Sequence, residues 1–201
     1  MNSRPSSEHR VQLILASSSP YRRTLLDRLV LSYAVAPPDC DETRWPEESA
    51  AACALRLARL KASTVADSHP DGLIIGSDQL AESRVGILGK PGGEATAVKQ
   101  LSEMAGTVVT FHTGICLLDA ASGRYEAEVV PYSVKLRALP NDAILRYVRK
   151  ERPFDCAGGF KAEGLGIALF EWMRGDDPTA LIGLPLIALT EMLQRAGVSV
   201  P

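Results

Sequence analysis

The sequence predicts an α/β domain, bordering on α+β, with helices flanking one long mixed β-sheet. Two observations lead there. Through the first half of the chain, short apolar runs alternate with helical stretches in the order βαβαβ. Two longer strand-like runs, Val108–Leu118 and Tyr125–Leu136, then meet around Ser122-Gly123 as a hairpin. A hairpin cannot belong to a purely parallel sheet, so the sheet must be mixed.

In chain order, residues 1–10 read as a polar, mobile tail, without the apolar stretch of a secretory leader. Residues 11–201 read as one domain, with no linker and no internal repeat. Leu13–Ala16 is a short buried strand. Ser19-Pro20, a favoured N-cap followed by a favoured first helical residue, opens a helix to about Leu31. Tyr33–Ala36 is a second strand, stopped by Pro37-Pro38. A long Ala-, Leu- and Arg-rich helix follows from about Glu48 to Asp67. Leu73–Ser77 is a buried strand and Val85–Leu88 a short one. Gly89 to Gly93 form a loop, and Glu94–Met104 is helical. After the hairpin, Pro140–Lys150 starts another helix. Cys156–Gly166 is glycine-rich and irregular, Ile167–Trp172 is a strand, and Pro185–Ala196 is the closing helix.

Composition narrows the function classes. The 201 residues are 46% hydrophobic and 23% charged, as in an ordinary folded domain. The 22 Lys and Arg against 24 Asp and Glu leave a net charge of −2, which argues against a broadly basic nucleic-acid binder. The longest run without a formal charge, Met104–Leu118, has 15 residues and two glycines, too short and too polar to cross a membrane. Cys40, Cys53, Cys116 and Cys156 match no zinc or redox spacing, so a cytoplasmic protein with free thiols is expected. His9, His69 and His112 form no His-x-x-x-His pair, and there is no Gly-x-Ser-x-Gly elbow.

Three segments could carry chemistry. In Leu15-Ala16-Ser17-Ser18-Ser19-Pro20-Tyr21-Arg22-Arg23, a strand runs through hydroxyl residues into a helix start with two arginines. Free N–H groups, hydroxyls and guanidinium forks suit a phosphate, although a capped helix with a solvated arginine pair has the same pattern. Gly76-Ser77-Asp78-Gln79 ends a buried strand, where crevices of open α/β sheets form. An aspartate there is a loop cap, a metal ligand or a base. Lys61 falls on the apolar stripe of its helix, between Ala54 and Val65, while Arg56 and Arg59 point elsewhere. It either snorkels to the surface or is held toward a buried anion. Lys90, in its Gly/Pro loop, is a second such cation or an ordinary exposed lysine.

These pieces, together and in this order, resemble the Maf family of nucleoside triphosphate pyrophosphatases. The likeness rests on Leu15 to Arg23, Asp41-Glu42, Ala58-Arg59-Leu60-Lys61-Ala62, Gly76-Ser77-Asp78-Gln79, Gly89-Lys90-Pro91, Thr113-Gly114, Gly164-Leu165-Gly166 and Gly183-Leu184-Pro185-Leu186. It implies a Maf/ITPase-like fold with a cleft between two lobes, and hydrolysis of a nucleoside triphosphate to monophosphate and diphosphate with a divalent cation, Mg²⁺, Mn²⁺ or Co²⁺. Ser77-Asp78-Gln79 and Phe160-Lys161-Ala162-Glu163-Gly164-Leu165-Gly166 are most similar to the 7-methyl-GTP branch. The dTTP/UTP branch usually has Arg at Tyr21, Thr at Gln79 and Gln at Glu163.

The resemblance assigns the roles. Asp78 is the expected general base, metal ligand or both, and Glu42 the second carboxylate and a metal ligand. Lys61 and Lys90 join them as catalytic cations. Ser17, Ser19, Arg22 and Arg23 cradle the phosphates. Tyr21, Gln79 and Glu163 select the base, with Glu163 accepting from guanine N1–H and N2 and Tyr21 stacking on the methylated ring. The partner is a small nucleotide, without nucleic acid or membrane, and a homodimer is expected from the resemblance alone. A nucleotide-binding regulator of septum formation, with binding but no turnover, is the competing expectation. A dTTP/UTP pyrophosphatase of the same family is the other.

Overall fold

The computed structural model describes residues 12–200; the tail expected at residues 1–10 lies outside the described residues. The strands are β1 (Gln12–Ala16), β2 (Tyr33–Val35), β3 (Gly72–Ser83), β4 (Gly86–Leu88), β5 (Val108–Asp119), β6 (Arg124–Leu136) and β7 (Phe170–Arg174). The α-helices are α1 (Pro20–Leu26), α2 (Ala50–Ala66), α3 (Glu94–Met104), α4 (Asn141–Glu151) and α5 (Leu186–Arg195). One seven-stranded sheet runs β2-β1-β3-β5-β6-β7, with β4 added beside β3. β1 is parallel to β2 and β3, and the remaining pairs are antiparallel. The expected mixed sheet is therefore the observed one.

Three expected elements change. The helix expected to reach Leu31 stops at Leu26, becomes a 3-10 turn over Asp27–Leu29 and ends at Val30, whose φ of 53° is left-handed. The chain has to reverse there so that Tyr33–Val35 can lie parallel to β1. The strand expected to end at Ser77 runs on to Ser83, because β5 pairs with it as far as Glu82. The last strand starts at Phe170, after a 3-10 turn over Leu165–Leu169, where Ile167 was expected to begin it.

Period-two alternation sorts the buried residues onto two faces. Leu13, Leu15, Leu73, Ile75, Ile115 and Leu117 pack with Leu25, Leu26 and α5. Ile14, Ile74, Cys116 and Leu118 face Ala58, Ala62 and Val65 of α2. Gly76 and Gly114 lie on that same face. A Cβ at Gly76 would fall on the Ala58 carbonyl oxygen, and one at Gly114 on that of Ala54, so α2 rests directly on the sheet. A second core joins the far halves of β3, β5 and β6 to α3 and α4, through Phe111, Leu101, Met104, Tyr147 and Phe160.

The cleft sits where β3 changes partner. β1 ends with Ala16 opposite Gly76, and the pairing of β3 with β4 starts only at Ala81, opposite Leu88, the last residue of β4. Between them, Ser77–Leu80 present an unpaired edge at the carboxyl end of β1, the place where open α/β sheets take ligands. Among the described residues, no helix is long and apolar enough to cross a membrane.

Candidate active site

The opening leads into a cleft of about 590 Å³. Ser17, Ser18, Ser19, Tyr21 and Arg22 line it from the end of β1 and the start of α1. Glu42, Arg44, Lys61, Asp78, Gln79 and Lys90 also line it, as do Asp155, Cys156 and Glu163. Ten of the eleven residues expected at the site are among them. Arg23 is not: it is exposed on the outer side of α1 and bonds Tyr33 through its backbone carbonyl.

Asp78 lies in the middle of β3, where the sequence suggested a strand end, and its side chain shares the α2 face with Gly76. Lys61, on the buried stripe of α2, meets it there. Lys61 Nζ donates to Asp78 Oδ1 at 2.6 Å and to Glu42 Oε2 at 2.8 Å. The lysine and aspartate side chains are 7% and 11% exposed and that of Glu42 is 52% exposed, so the triad runs from the interior to the cleft surface. Of the two readings of Lys61, the structure has the cation held toward a buried anion. Among the described residues, no hydrogen bond uses Asp78 Oδ2 or Glu42 Oε1.

That arrangement decides what metal it could hold. Lys61 joins the two carboxylates through one oxygen of each, and the remaining oxygens are donors of the type that suits a hard cation such as Mg²⁺. Among the described residues there is no group of three or more His, Cys, Asp or Glu placed to hold a metal. Two carboxylates are too few for an all-protein cage, so an ion held here would take its remaining ligands from water or a bound anion.

The serine segment is partly occupied in shaping itself. Ser17 Oγ accepts from the Ser19 N–H at 3.1 Å, and Ser19 Oγ caps α1 by accepting from the Arg22 N–H at 3.4 Å. Both hydroxyl protons remain to be donated. Arg22 is fixed by its Nε, which donates to the Gly183 carbonyl at 2.8 Å, and it lies 3.5 Å from Ser17 Oγ. Burial pulls its guanidinium below its ordinary value, opposed by the nearby Asp78 and Glu42 carboxylates. Arginine keeps its proton in proteins, so the result is a desolvated cation facing the cleft. Lys90 is exposed on its loop. Gln100 Nε2 donates to the Gly89 carbonyl at 3.2 Å, which ties that loop to α3.

Gln79 points to the opposite face from Asp78. Its amide nitrogen is within bonding distance of Ala180 O at 2.7 Å, Thr113 Oγ1 at 3.0 Å and Leu181 O at 3.1 Å. Only its carbonyl oxygen is left without a partner among the described residues. Tyr21 donates its hydroxyl to Asp155 Oδ2 at 2.8 Å, and the Lys161 ammonium lies 5.9 Å from its ring centre. Glu163 is exposed in the turn before Gly164, with no hydrogen-bond partner for its side chain among the described residues.

Asp155, Arg44 and the Gly183 carbonyl were not assigned from the sequence. Gly183 lies in one of the quoted motifs and has φ of 119°, so its carbonyl is turned toward both Arg22 and Ser77 Oγ. Asp155 stands 134 residues from the tyrosine it bonds, and nothing local announces it.

A mixed sheet opened over carboxylates and cations defines an α/β protein with a polar, charge-bearing cleft. The chain belongs to the Maf family: residues 12–196 match the Maf-like protein. The 7-methyl-GTP pyrophosphatase of Alcanivorax borkumensis is 52% identical over 189 residues, covering 94% of this chain and 96% of that one. That of Alkalilimnicola ehrlichii is 53% identical over 188 residues, covering 94% of each. That of Aromatoleum aromaticum is 52% identical over 190 residues, covering 94% and 98%. Among solved structures, a HAM1 protein from Coxiella burnetii aligns with a TM-score of 0.46 at 17% identity, covering 76% of this chain and 88% of that one.

Proposed function

We propose that this protein is an enzyme that hydrolyses 7-methyl-GTP to 7-methyl-GMP and diphosphate. The observation that carries this reading is the Lys61 ammonium held between Asp78 and Glu42 at the open edge of β3. A site that only bound nucleotide would have no need of two carboxylates beside the phosphates. The names of the relatives supply the substrate.

In this reading, water attacks the α-phosphorus and diphosphate leaves. Asp78 takes the water's proton on Oδ2, since Oδ1 is engaged by Lys61. Arg22, Lys61 and Lys90 face the charge that builds on the phosphoryl oxygens, and the Ser17 and Ser19 hydroxyls donate to the phosphates. A divalent cation would be held through Glu42 Oε1, leaving Asp78 Oδ2 to act as the base, and would neutralise phosphate charge. At the base end, Glu163 accepts the two adjacent donors of guanine. Uracil or thymine would set a carbonyl oxygen against it.

The test is diphosphate release by purified protein with Mg²⁺ or Mn²⁺ from 7-methyl-GTP, GTP, UTP and dTTP. The expected order is 7-methyl-GTP above GTP, and both far above the pyrimidine nucleotides. A preference for UTP overturns the substrate assignment. Nucleotide binding without release from any triphosphate overturns the enzyme.

A further inference from the structure

One wall of the cleft carries more negative charge than reading a neutral guanine requires. It is lined by Tyr21, Asp155 and Glu163. Asp155 Oδ2 accepts from the Tyr21 hydroxyl at 2.8 Å, and the Cys156 thiol lies 3.7 Å from both Asp155 Oδ1 and the tyrosine oxygen. Burial and the hydrogen bond to Asp155 push the Tyr21 phenol far above its ordinary value. Burial pushes Asp155 up, but the Tyr21 hydroxyl, its own backbone N–H and Lys161 outweigh it and hold the carboxyl below the usual range. The pair is therefore a neutral phenol resting on an ionised carboxylate.

The balancing cation stands back from the cleft. Lys161 Nζ is 3.9 Å from Asp155 Oδ1, beyond hydrogen-bonding distance, and Lys161 does not line the cleft. It lies 5.9 Å from the Tyr21 ring centre, at the outer limit of a cation–π contact. A ring with a lysine already beside it offers a cationic base less than a bare one. The two carboxylates then become the main source of any preference for positive charge. Methylation at N7 places a positive charge on the purine rings; an unmethylated guanine has none.

We propose that Asp155 is a specificity-determining residue that selects a cationic purine over a neutral one, with Lys161 as the opposing charge that tempers the preference. This rests on the reading of the cleft as a nucleotide site. The Asp155 side chain is 58% exposed, so screening keeps the effect to a few-fold.

The experiment compares kcat/KM for 7-methyl-GTP and GTP in the natural protein, Asp155→Asn and Lys161→Gln, at low and high salt. Asparagine keeps an acceptor for the Tyr21 hydroxyl and removes only the charge. The 7-methyl-GTP to GTP ratio is expected to fall about threefold in Asp155→Asn and to rise about as much in Lys161→Gln, with the natural ratio shrinking in salt. The base charge is the same in ground and transition states, so the change should appear in KM for 7-methyl-GTP with kcat held. Calorimetric binding of 7-methyl-GMP against GMP reads the same ratio without turnover. Absence of diphosphate release alongside a 7-methyl-GMP binding preference that still falls in Asp155→Asn would overturn the enzyme and leave this inference standing. A ratio unchanged in Asp155→Asn, or lowered in Lys161→Gln, overturns the inference while leaving hydrolysis intact. Should Asp155→Asn fail to fold, Lys161→Gln decides alone.

Discussion

The Lys61 ammonium lies 2.6 Å from Asp78 Oδ1 and 2.8 Å from Glu42 Oε2, so one cation joins the two carboxylates to which the mechanism gives base and metal-binding roles. Asp78→Asn keeps the shape of the side chain and a hydrogen-bond acceptor, and removes the proton acceptor. Diphosphate release should fall by about 10²–10⁴-fold, the usual contribution of a positioned base. Nucleotide binding, followed by calorimetry, should persist. Turnover near that of the natural protein would remove Asp78 from the chemistry.

Lys61→Met should damage the fold more than Asp78→Asn. The aspartate variant leaves Lys61 paired with Glu42, half in solvent. The lysine variant leaves the Asp78 carboxylate buried without its cation, facing a second carboxylate. Breaking a buried pair in this way costs about 3–5 kcal/mol, and the open side of the triad puts Lys61→Met toward the lower figure. Thermal melts of both variants at neutral pH check the order. A Lys61→Met protein as stable as Asp78→Asn would show that the pair adds little to folding.

Gly114→Ala tests how the triad is built. Its new Cβ would meet the Ala54 carbonyl oxygen, backbone that has to move as a helix or not at all. Overpacking of this type costs about 1–3 kcal/mol. Displacing α2 also moves Lys61 away from Asp78, so melting temperature and kcat should fall together. Loss of kcat with an unchanged melt would show that the glycine serves something other than the seating of α2.

How legible was this in the sequence? The Lys61 stripe could be read because a helix repeats every 3.6 residues, and the lysine fell between Ala54 and Val65 on the face that is in fact buried. β3 could not be read to its end. Its continuation through Leu80 and Ala81 depends on pairing with β5 some 30 residues on, and strand length is decided by such partners. Gln79 was placed beside the base from its motif, yet its amide nitrogen is spent on the turn around Ala180 and Leu181, which local sequence does not reveal. Arg23 reads like Arg22 as a residue type. One position along a helix is 100° of rotation, and that carries it out of the cleft.

The turn that follows Glu42 is clamped to α2 by a two-pronged pair, Arg56 Nε to Glu48 Oε1 at 2.7 Å and Nη2 to Oε2 at 2.8 Å; Nη2 also reaches the Thr43 carbonyl at 3.1 Å. The Arg56 guanidinium, helped by the Trp45 N–H and against desolvation, holds Glu48 down at about 2, from an ordinary 4.5. A depressed acid contributes its stabilisation above the unfolded-state value and loses it as pH falls through the folded one. The natural protein should therefore lose stability between about pH 4.5 and 2, and Glu48→Gln should flatten that part of the profile. Acid unfolding followed by circular dichroism measures both. Equal slopes for the two proteins would show that the clamp is not linked to folding.

Base choice divides between two carboxylates, and the division can be measured. Glu163 is exposed in the turn before Gly164, lines the cleft and has no side-chain hydrogen bond among the described residues, so both its oxygens are available to a ligand. Guanine presents N1–H and the N2 amino group side by side, and one carboxylate can accept from both. Glutamine in its place offers one acceptor and one donor, the pattern that suits uracil. Glu163→Gln should therefore lower the preference for GTP over UTP by tenfold or more, taking one charged hydrogen bond as about 1.5–3 kcal/mol. The 7-methyl-GTP to UTP ratio should fall with it, since both purines present the same edge. The 7-methyl-GTP to GTP ratio should fall as well, by a few-fold, because Glu163 shares with Asp155 the negative charge that the methylated ring meets. Competition assays with paired nucleotides give all three ratios in one experiment. If Glu163→Gln changes none of them, the guanine edge is read elsewhere in the cleft.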